Sequence, residues 1–228
     1  MLVSITDSHF APKLSRVEKT AALDQALYGF LEELDCGRGL NIIGIDEVGR
    51  GSLAGPLTVA ATSLPLTKRI SGLNDSKKLS AKRREELTRH IIKTASSFSI
   101  IDIEAPSIDF MGIVEAVRQG MKQALGAVIA GAGEPDIVLI DGVALGIHAK
   151  EQAITKGDSR AACIAAASIL AKTHRDALMT VYSNDYTCYG WQSNKGYGSA
   201  EHISAIKKHG LSELHRKSFC AGILQESF

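Results

Sequence analysis

Four acidic residues stand at the ends of apolar runs. In "NIIGIDEVGRGSLAGP", residues 41–56, Asp46 and Glu47 close an apolar run and precede a glycine-rich turn that carries Arg50. Asp141 closes "DIVLID", and Asp158 follows a short run in "ITKGDS". Carboxylates delivered to one end of several strands suit a hard divalent cation such as Mg²⁺, which takes oxygen donors and keeps water and substrate phosphate in its shell. Successive side chains on a strand point to opposite faces, so Asp46 and Glu47 share one site only if the strand breaks at Glu47.

Each residue also has a plainer reading. Asp158 alone would cap the helix after it, Asp141 before Gly142 would make a turn, and an acidic pair is ordinarily solvated surface. Their conjunction at three strand ends favours the metal site. The glycine turn is not a dinucleotide cradle: its spacing is GxGxxxG, a strand follows it, and two carboxylates would face the phosphates. Ser52 and Cys163 have no histidine nearby in sequence, so a side-chain nucleophile lacks support.

The elements that would position these residues follow from periodicity and turn signals. Residues 1–20 read as a polar arm and 21–35 as a helix stopped by "CGRG". "LNIIGID" and "PLTVAATSL" read as strands, Ser80 as the cap of a charged amphipathic helix, and "SFSIIDIE" as a third strand. A helix over about 107–130 leads to the strand "DIVLID", then a short strand in "AKEQAITKGD". An alanine-rich helix follows, whose small residues allow close packing on a sheet. After it come an aromatic loop, "YGWQSNKGYGS", and a final helix near 199–209.

At 228 residues, 45% hydrophobic and 22% charged, the chain is sized for one soluble domain. A net charge of +1 supplies no whole-molecule field for a polyanion, so nucleic-acid binding would rest on local patches. Two exist: residues 75–93 hold seven Lys or Arg against three acids, and 195–217 hold five against two. Scattered cysteines without a CxxC pair argue against zinc. No run approaches the roughly 20 apolar residues of a membrane span, and no signal peptide is visible, so a cytoplasmic protein with reduced thiols is expected.

The ordered pieces "GIDEVGRGSLAGP", "LNDSKKLS", "LIDG", "KGDSRAACIAAASILAKTHRDALM", "NKGYGSAEH" and "HRKSF" span about residues 41–219. Together they resemble ribonuclease HII of the bacterial type, the type 2 ribonuclease H family. The departures are Asn194, where His is common, and Gly112, where Asn is common. The resemblance implies the ribonuclease H-like α/β fold: a five-stranded mixed sheet, its first three strands antiparallel, flanked by helices. It divides the chain into an arm and helix (1–40), a catalytic core (41–190) and a C-terminal helical substrate-binding extension (191–228).

It further implies an endoribonuclease acting on RNA/DNA hybrids and on duplex DNA with embedded ribonucleotides. Such an enzyme cuts 5′ to the ribonucleotide and leaves 3′-hydroxyl and 5′-phosphate ends, in ribonucleotide removal and RNA primer removal during replication and repair. Asp46, Glu47, Asp141 and Asp158 would hold two Mg²⁺ or Mn²⁺ ions. Gly49, Arg50 and Gly51 would meet the ribonucleotide at its 2′-hydroxyl and phosphate, Tyr197 would stack at the ribose–deoxyribose junction, and Ser76, Lys77 and Lys195 would touch the backbone. The physical chemistry agrees, since a 2′-hydroxyl marks a ribonucleotide and glycine lets backbone groups approach it.

A related nuclease of the same fold, such as a resolvase, would share the carboxylates without reading ribose. A non-catalytic binding module would not set four acids against a polyanion. The tail "ILQESF" reads as a frayed end in preference to a recruitment peptide for a replication clamp, and the chain as a monomer.

Overall fold

The computed structural model describes residues 15–225. Helix α1 (Arg16–Asp35) precedes strands β1 (Ile42–Val48) and β2 (Leu57–Ser63), helix α2 (Ala81–Thr94) and strand β3 (Ser97–Ile103). Helices α3 (Ala105–Met111) and α4 (Ile113–Ala132) lead to β4 (Ile137–Asp141) and β5 (Glu151–Ile154). Helices α5 (Ala162–Asp185), α6 (Trp191–Asn194), α7 (Ala200–His209) and α8 (Lys217–Gln225) complete the chain. The sheet order is β3-β2-β1-β4-β5, with β1, β2 and β3 antiparallel and β4 and β5 parallel to β1. This is the α/β ribonuclease H-like arrangement.

β1 is central and buried over its first five residues because helices cover both faces. On one face α5 comes so close that a Cβ at Gly44 would lie 2.4 Å from the Cys163 carbonyl carbon. The run of buried alanines in α5 permits that approach, and the Thr62 hydroxyl donates to the Cys163 carbonyl at 2.8 Å. On the other face α4 packs Val117, Met121, Leu125 and Val128 against Ile43, Ile45, Val59 and Ile140. A third cluster, with Trp191, Tyr189, Met179, Ala54 and Ile206, anchors the C-terminal helices to the segment after β1.

Three local expectations change. The first helix starts at Arg16, not residue 21, because Ser15 and Glu18 form a reciprocal capping box. Of the expected polar arm, 16–20 are therefore helical and 1–14 lie outside the described residues. The helix expected over 107–130 is two helices, parted at Gly112, whose φ of +80° no helix accommodates. The chain continues past the expected last helix into α8, whose first amides, Lys217 and Ser218, donate to the Asp109 carboxylate of α3 at 2.8 and 3.0 Å. Residues 223–225 of the supposed frayed tail belong to α8, and 226–228 lie outside the described residues. No described helix is long and apolar enough to cross a membrane.

Candidate active site

β1 and β4 run parallel with Ile45 paired to Ile140, so Asp46 and Asp141, the next residues, end side by side. β5 pairs Ile154 with Asp141 and leads through Lys156, at φ +55°, into the 3₁₀ turn Gly157–Ser159 that carries Asp158. The Gly157 amide donates to Asp141 Oδ1 at 2.6 Å and ties that turn to the strand end.

The expected strand break at Glu47 is absent. β1 stays paired with β2 through Glu47 opposite Val59 and Val48 opposite Thr58. Asp46, Glu47 and Asp141 nevertheless line one open cleft of about 470 Å³. β4 ends at Asp141 while β1 runs on to Val48, so Glu47 lies where the sheet is open on its β4 side.

Asp158 adjoins this group through Asp141. It is buried against Asp75 and Asp141 and does not line the cleft. Nor does it cap α5, whose N-cap is Ala161 without a side-chain bond. Three of the four expected carboxylates thus line the cleft, and the fourth, Asp158, is buried within electrostatic reach of Asp141.

Burial, then Glu47 and Asp141, push the Asp46 carboxyl well above the usual range, against a hydrogen bond from Ser168. Burial also raises Glu47, opposed by Arg50. Burial, Asp75 and Asp141 raise Asp158, opposed by Lys77. Among the described residues no three acidic, histidine or cysteine side chains stand close enough to cage an ion unaided. The donor chemistry nonetheless fits a hard divalent cation: an all-oxygen set whose ionised form is disfavoured by burial and mutual repulsion, which a cation relieves.

The glycine turn forms the cleft's rim. Gly49 has φ +83°, and a Cβ there would fall 2.2 Å from Arg175 Nε. Its amide donates to the Tyr197 hydroxyl at 3.2 Å. Gly51 differs: its φ is ordinary and a Cβ would meet nothing within 4 Å. Arg50 is exposed and borders the cleft with Gly51, Ser76 and Lys77. Lys195 does not reach it; its Nζ donates to Thr180 Oγ1 at 2.6 Å in a neighbouring groove with Arg84 and Asp176. Its backbone, at φ +52°, turns the chain into Gly196 and Tyr197.

Residues 43–222 match the family described as ribonuclease HII. The chain belongs to the ribonuclease HII family. A curated ribonuclease HII of Bacillus subtilis is 42% identical over 189 residues, covering 82% of this chain and 73% of that one. Two solved structures share the fold. The PCNA:RNase HII complex from Archaeoglobus fulgidus gives a TM-score of 0.64 at 24% identity, over 79% of this chain and 94% of that one. Bst-RNase HIII in complex with Mn²⁺ gives 0.68 at 19%, over 91% and 73%. The chain is a type 2 ribonuclease H, a hydrolase that cleaves RNA in RNA/DNA hybrids.

For this ribonuclease HII chain, sequence reading left four residues without a role. Ser168 and Lys172 of α5 line the cleft, and the hydroxyls of Ser168 and Ser76 are hydrogen-bonded at 3.0 Å. Arg175, buried, donates to the carbonyls of Pro56, Ala54 and Lys195 and to Ser52 Oγ, at 2.8 to 3.0 Å. Positions 168, 172 and 175 fall on one helix face by i, i+4, i+7 spacing, a signal open to sequence reading. Arg216, also buried, donates to the Arg50 carbonyl at 2.9 Å and to the Gly55 carbonyl at 3.0 and 3.1 Å. No local pattern marks it, because its partners lie more than 160 residues away.

Proposed function

We propose that this ribonuclease HII chain reads a single ribose. On this reading it nicks duplex DNA on the 5′ side of an embedded ribonucleotide, leaving 3′-hydroxyl and 5′-phosphate ends, in ribonucleotide and RNA primer removal. The observation that carries this is the meeting of the Gly49–Gly51 turn and Tyr197 on the rim of the cleft that holds Asp46, Glu47 and Asp141. Nothing in the fold requires glycine at position 51, and its bare backbone suits close approach by a sugar.

In this assignment Asp46, Glu47, Asp141 and Asp158 hold two divalent ions, Mg²⁺ or Mn²⁺. When bound, such ions supply Lewis-acid activation of water and offset charge on the leaving oxygen. The chain's own groups do the rest. Arg50 and Lys77 take the phosphate charge at the rim, Arg50 through its planar fork. Tyr197 Oη, already accepting from Gly49, keeps its own proton to donate toward the sugar and presents the ring face beside it. Arg175 and Arg216 hold both loops by their carbonyls, which fixes the reading surface before substrate arrives.

The test is cleavage of a DNA duplex with one embedded ribonucleotide, with Mg²⁺ or with EDTA, beside an all-DNA duplex and the Asp46→Asn variant. Nicking of the ribonucleotide strand alone, on its 5′ side, with metal and intact Asp46, is expected. Equal cutting of the all-DNA duplex would remove ribose reading from the Gly49–Gly51 turn and Tyr197. Binding without cutting in either metal would remove catalysis.

A further inference from the structure

Behind Tyr197 lies a polar pair that neither the cleft nor the sheet accounts for. His202 of α7 and His215, before α8, are fully buried, with Nε2 atoms 3.1 Å apart. His202 Nδ1 is 3.0 Å from the Tyr197 carbonyl oxygen, which can only accept, so Nδ1 carries the proton. The single lone pair of His202 Nε2 is then shared between two donors, Trp191 Nε1 at 3.0 Å and His215 Nε2. His215 Nδ1 accepts the Ser212 amide at 2.9 Å, which places its proton on Nε2. Every ring nitrogen is used, and both rings are neutral. A second proton on His202 would set donor against donor at Nε2, and one on His215 would face the Ser212 amide, with only the Ser212 hydroxyl, 2.8 Å from Nδ1, able to accept it.

The pair closes a loop of contacts around the candidate ribose-reading residues. His215 bridges Ala54 by its backbone, and the Leu53 and Ala54 amides donate to the Gly196 carbonyl at 2.8 and 3.2 Å. Gly196 precedes Tyr197, whose hydroxyl meets Gly49. Packing alone would be served by apolar side chains, since a buried polar ring destabilises unless its bonds are made. What two polar rings add is direction: His202 fixes the Tyr197 carbonyl, and His215 fixes His202.

We propose that His202 and His215 are positioning residues for ribose discrimination: as a hydrogen-bonded neutral pair they hold Tyr197 against Gly49, and they never touch substrate. The proposal rests on the role given to Tyr197 above.

Two variants of one residue separate positioning from packing. Asn at position 202 can keep a donor near Nδ1 and the Tyr197 carbonyl but loses the Nε2 acceptor. Gln reaches the Nε2 region and loses that donor. Each removes about half the contacts. On a duplex with one embedded ribonucleotide, His202→Gln, which loses the direct hold on Tyr197, is expected to lose about tenfold in kcat/KM, and His202→Asn, which keeps that hold and loses the support of His215, to lose about threefold. The His202→Gln loss should vanish in a Tyr197→Ala background, because residues acting through one another are not additive.

Equal losses in the two variants, or losses that add to Tyr197→Ala, would overturn the proposal and leave the pair a packing element. No effect from Tyr197→Ala itself would instead sink the reading of Tyr197. If the position 202 variants do not fold, the comparison moves to His215→Gln, which keeps the donor to His202, and His215→Asn, which keeps the acceptor for Ser212. His215→Gln should then be the more selective. Failure of all four to fold would count against the proposal by assigning the pair to the core.

Discussion

The Tyr197 hydroxyl accepts the Gly49 amide proton at 3.2 Å, joining residues 148 positions apart at the rim of the carboxylate cleft. The tyrosine ring also lies under the Arg175 guanidinium, 5.4 Å from its centre. Removing the hydroxyl and removing the ring are therefore different experiments. Tyr197→Phe keeps the cation–π contact and loses one hydrogen bond and the phenolic proton. It should lower kcat/KM on an embedded ribonucleotide by about 5- to 10-fold. Tyr197→Ala should lose more. Equal activity of Tyr197→Phe and parent would show that the ring alone matters.

Gly49 and Gly51 should fail for opposite reasons. At Gly49 a Cβ meets Arg175 at 2.2 Å in a left-handed backbone, so Gly49→Ala should lower Tm as well as activity. At Gly51 a Cβ meets open space, so Gly51→Ala should melt with the parent and still weaken binding of a ribonucleotide duplex. Melting curves beside a binding titration check both. A Gly51→Ala protein that binds normally would remove backbone approach from the account of ribose reading.

Asp46 gives the cation a signature apart from activity. Its folded pKa is raised above the unfolded value, so its contribution to stability is present below about pH 3.8 and is lost as pH rises through the folded value. At neutral pH the buried charge is a liability. Asp46→Asn should thus melt higher than the parent in EDTA, whereas Mg²⁺ or Mn²⁺ should raise the parent's Tm more than the variant's. Identical shifts in the two proteins would take Asp46 out of the cation site.

How much of this was legible in the sequence depends on where each determinant lies. Asp46 and Asp141 were readable because each closes its own apolar run, and a parallel pair of strands with ends in register sets them side by side. The path of Glu47 was not readable: it depends on β4 stopping at Asp141, a property of the neighbouring strand. The surroundings of Asp158 were not readable: its turn, entered through left-handed Lys156, brings it beside Asp75 as well as Asp141, a neighbour that no local pattern gives. The departure at Asn194 has a local account, since its side chain bonds the Tyr189 carbonyl and the Gly196 amide, both at 2.8 Å. Gly112 parts two helices at φ +80° and ψ 156°, a conformation essentially confined to glycine, so the structure accounts for the glycine here and not for the asparagine common at that position.

The buried histidines should show themselves in the acid dependence of stability. Burial first, then neighbouring His202, lowers the His215 pKa to about 4 from 6.5. Between those values the unfolded chain binds a proton that the folded chain refuses, so stability falls as pH drops through that window, by up to about 1.4 kcal/mol per pH unit for one such group. His202, also lowered by burial, acts with the same sign. The raised carboxyls of Asp46, Glu47 and Asp158 act with the opposite sign, so the parent's profile alone would mix the two. His174 is raised by its bond to Asp102, so its contribution is complete below pH 6.5 and is lost only as pH rises through its folded value. The clean observable is the difference between the parent and His215→Gln, which cannot titrate. Denaturant melts between pH 7.5 and 4.5 should show the parent losing its advantage over the variant as pH falls below about 6.5. A difference that stays constant with pH would mean that His215 is not held neutral by the fold.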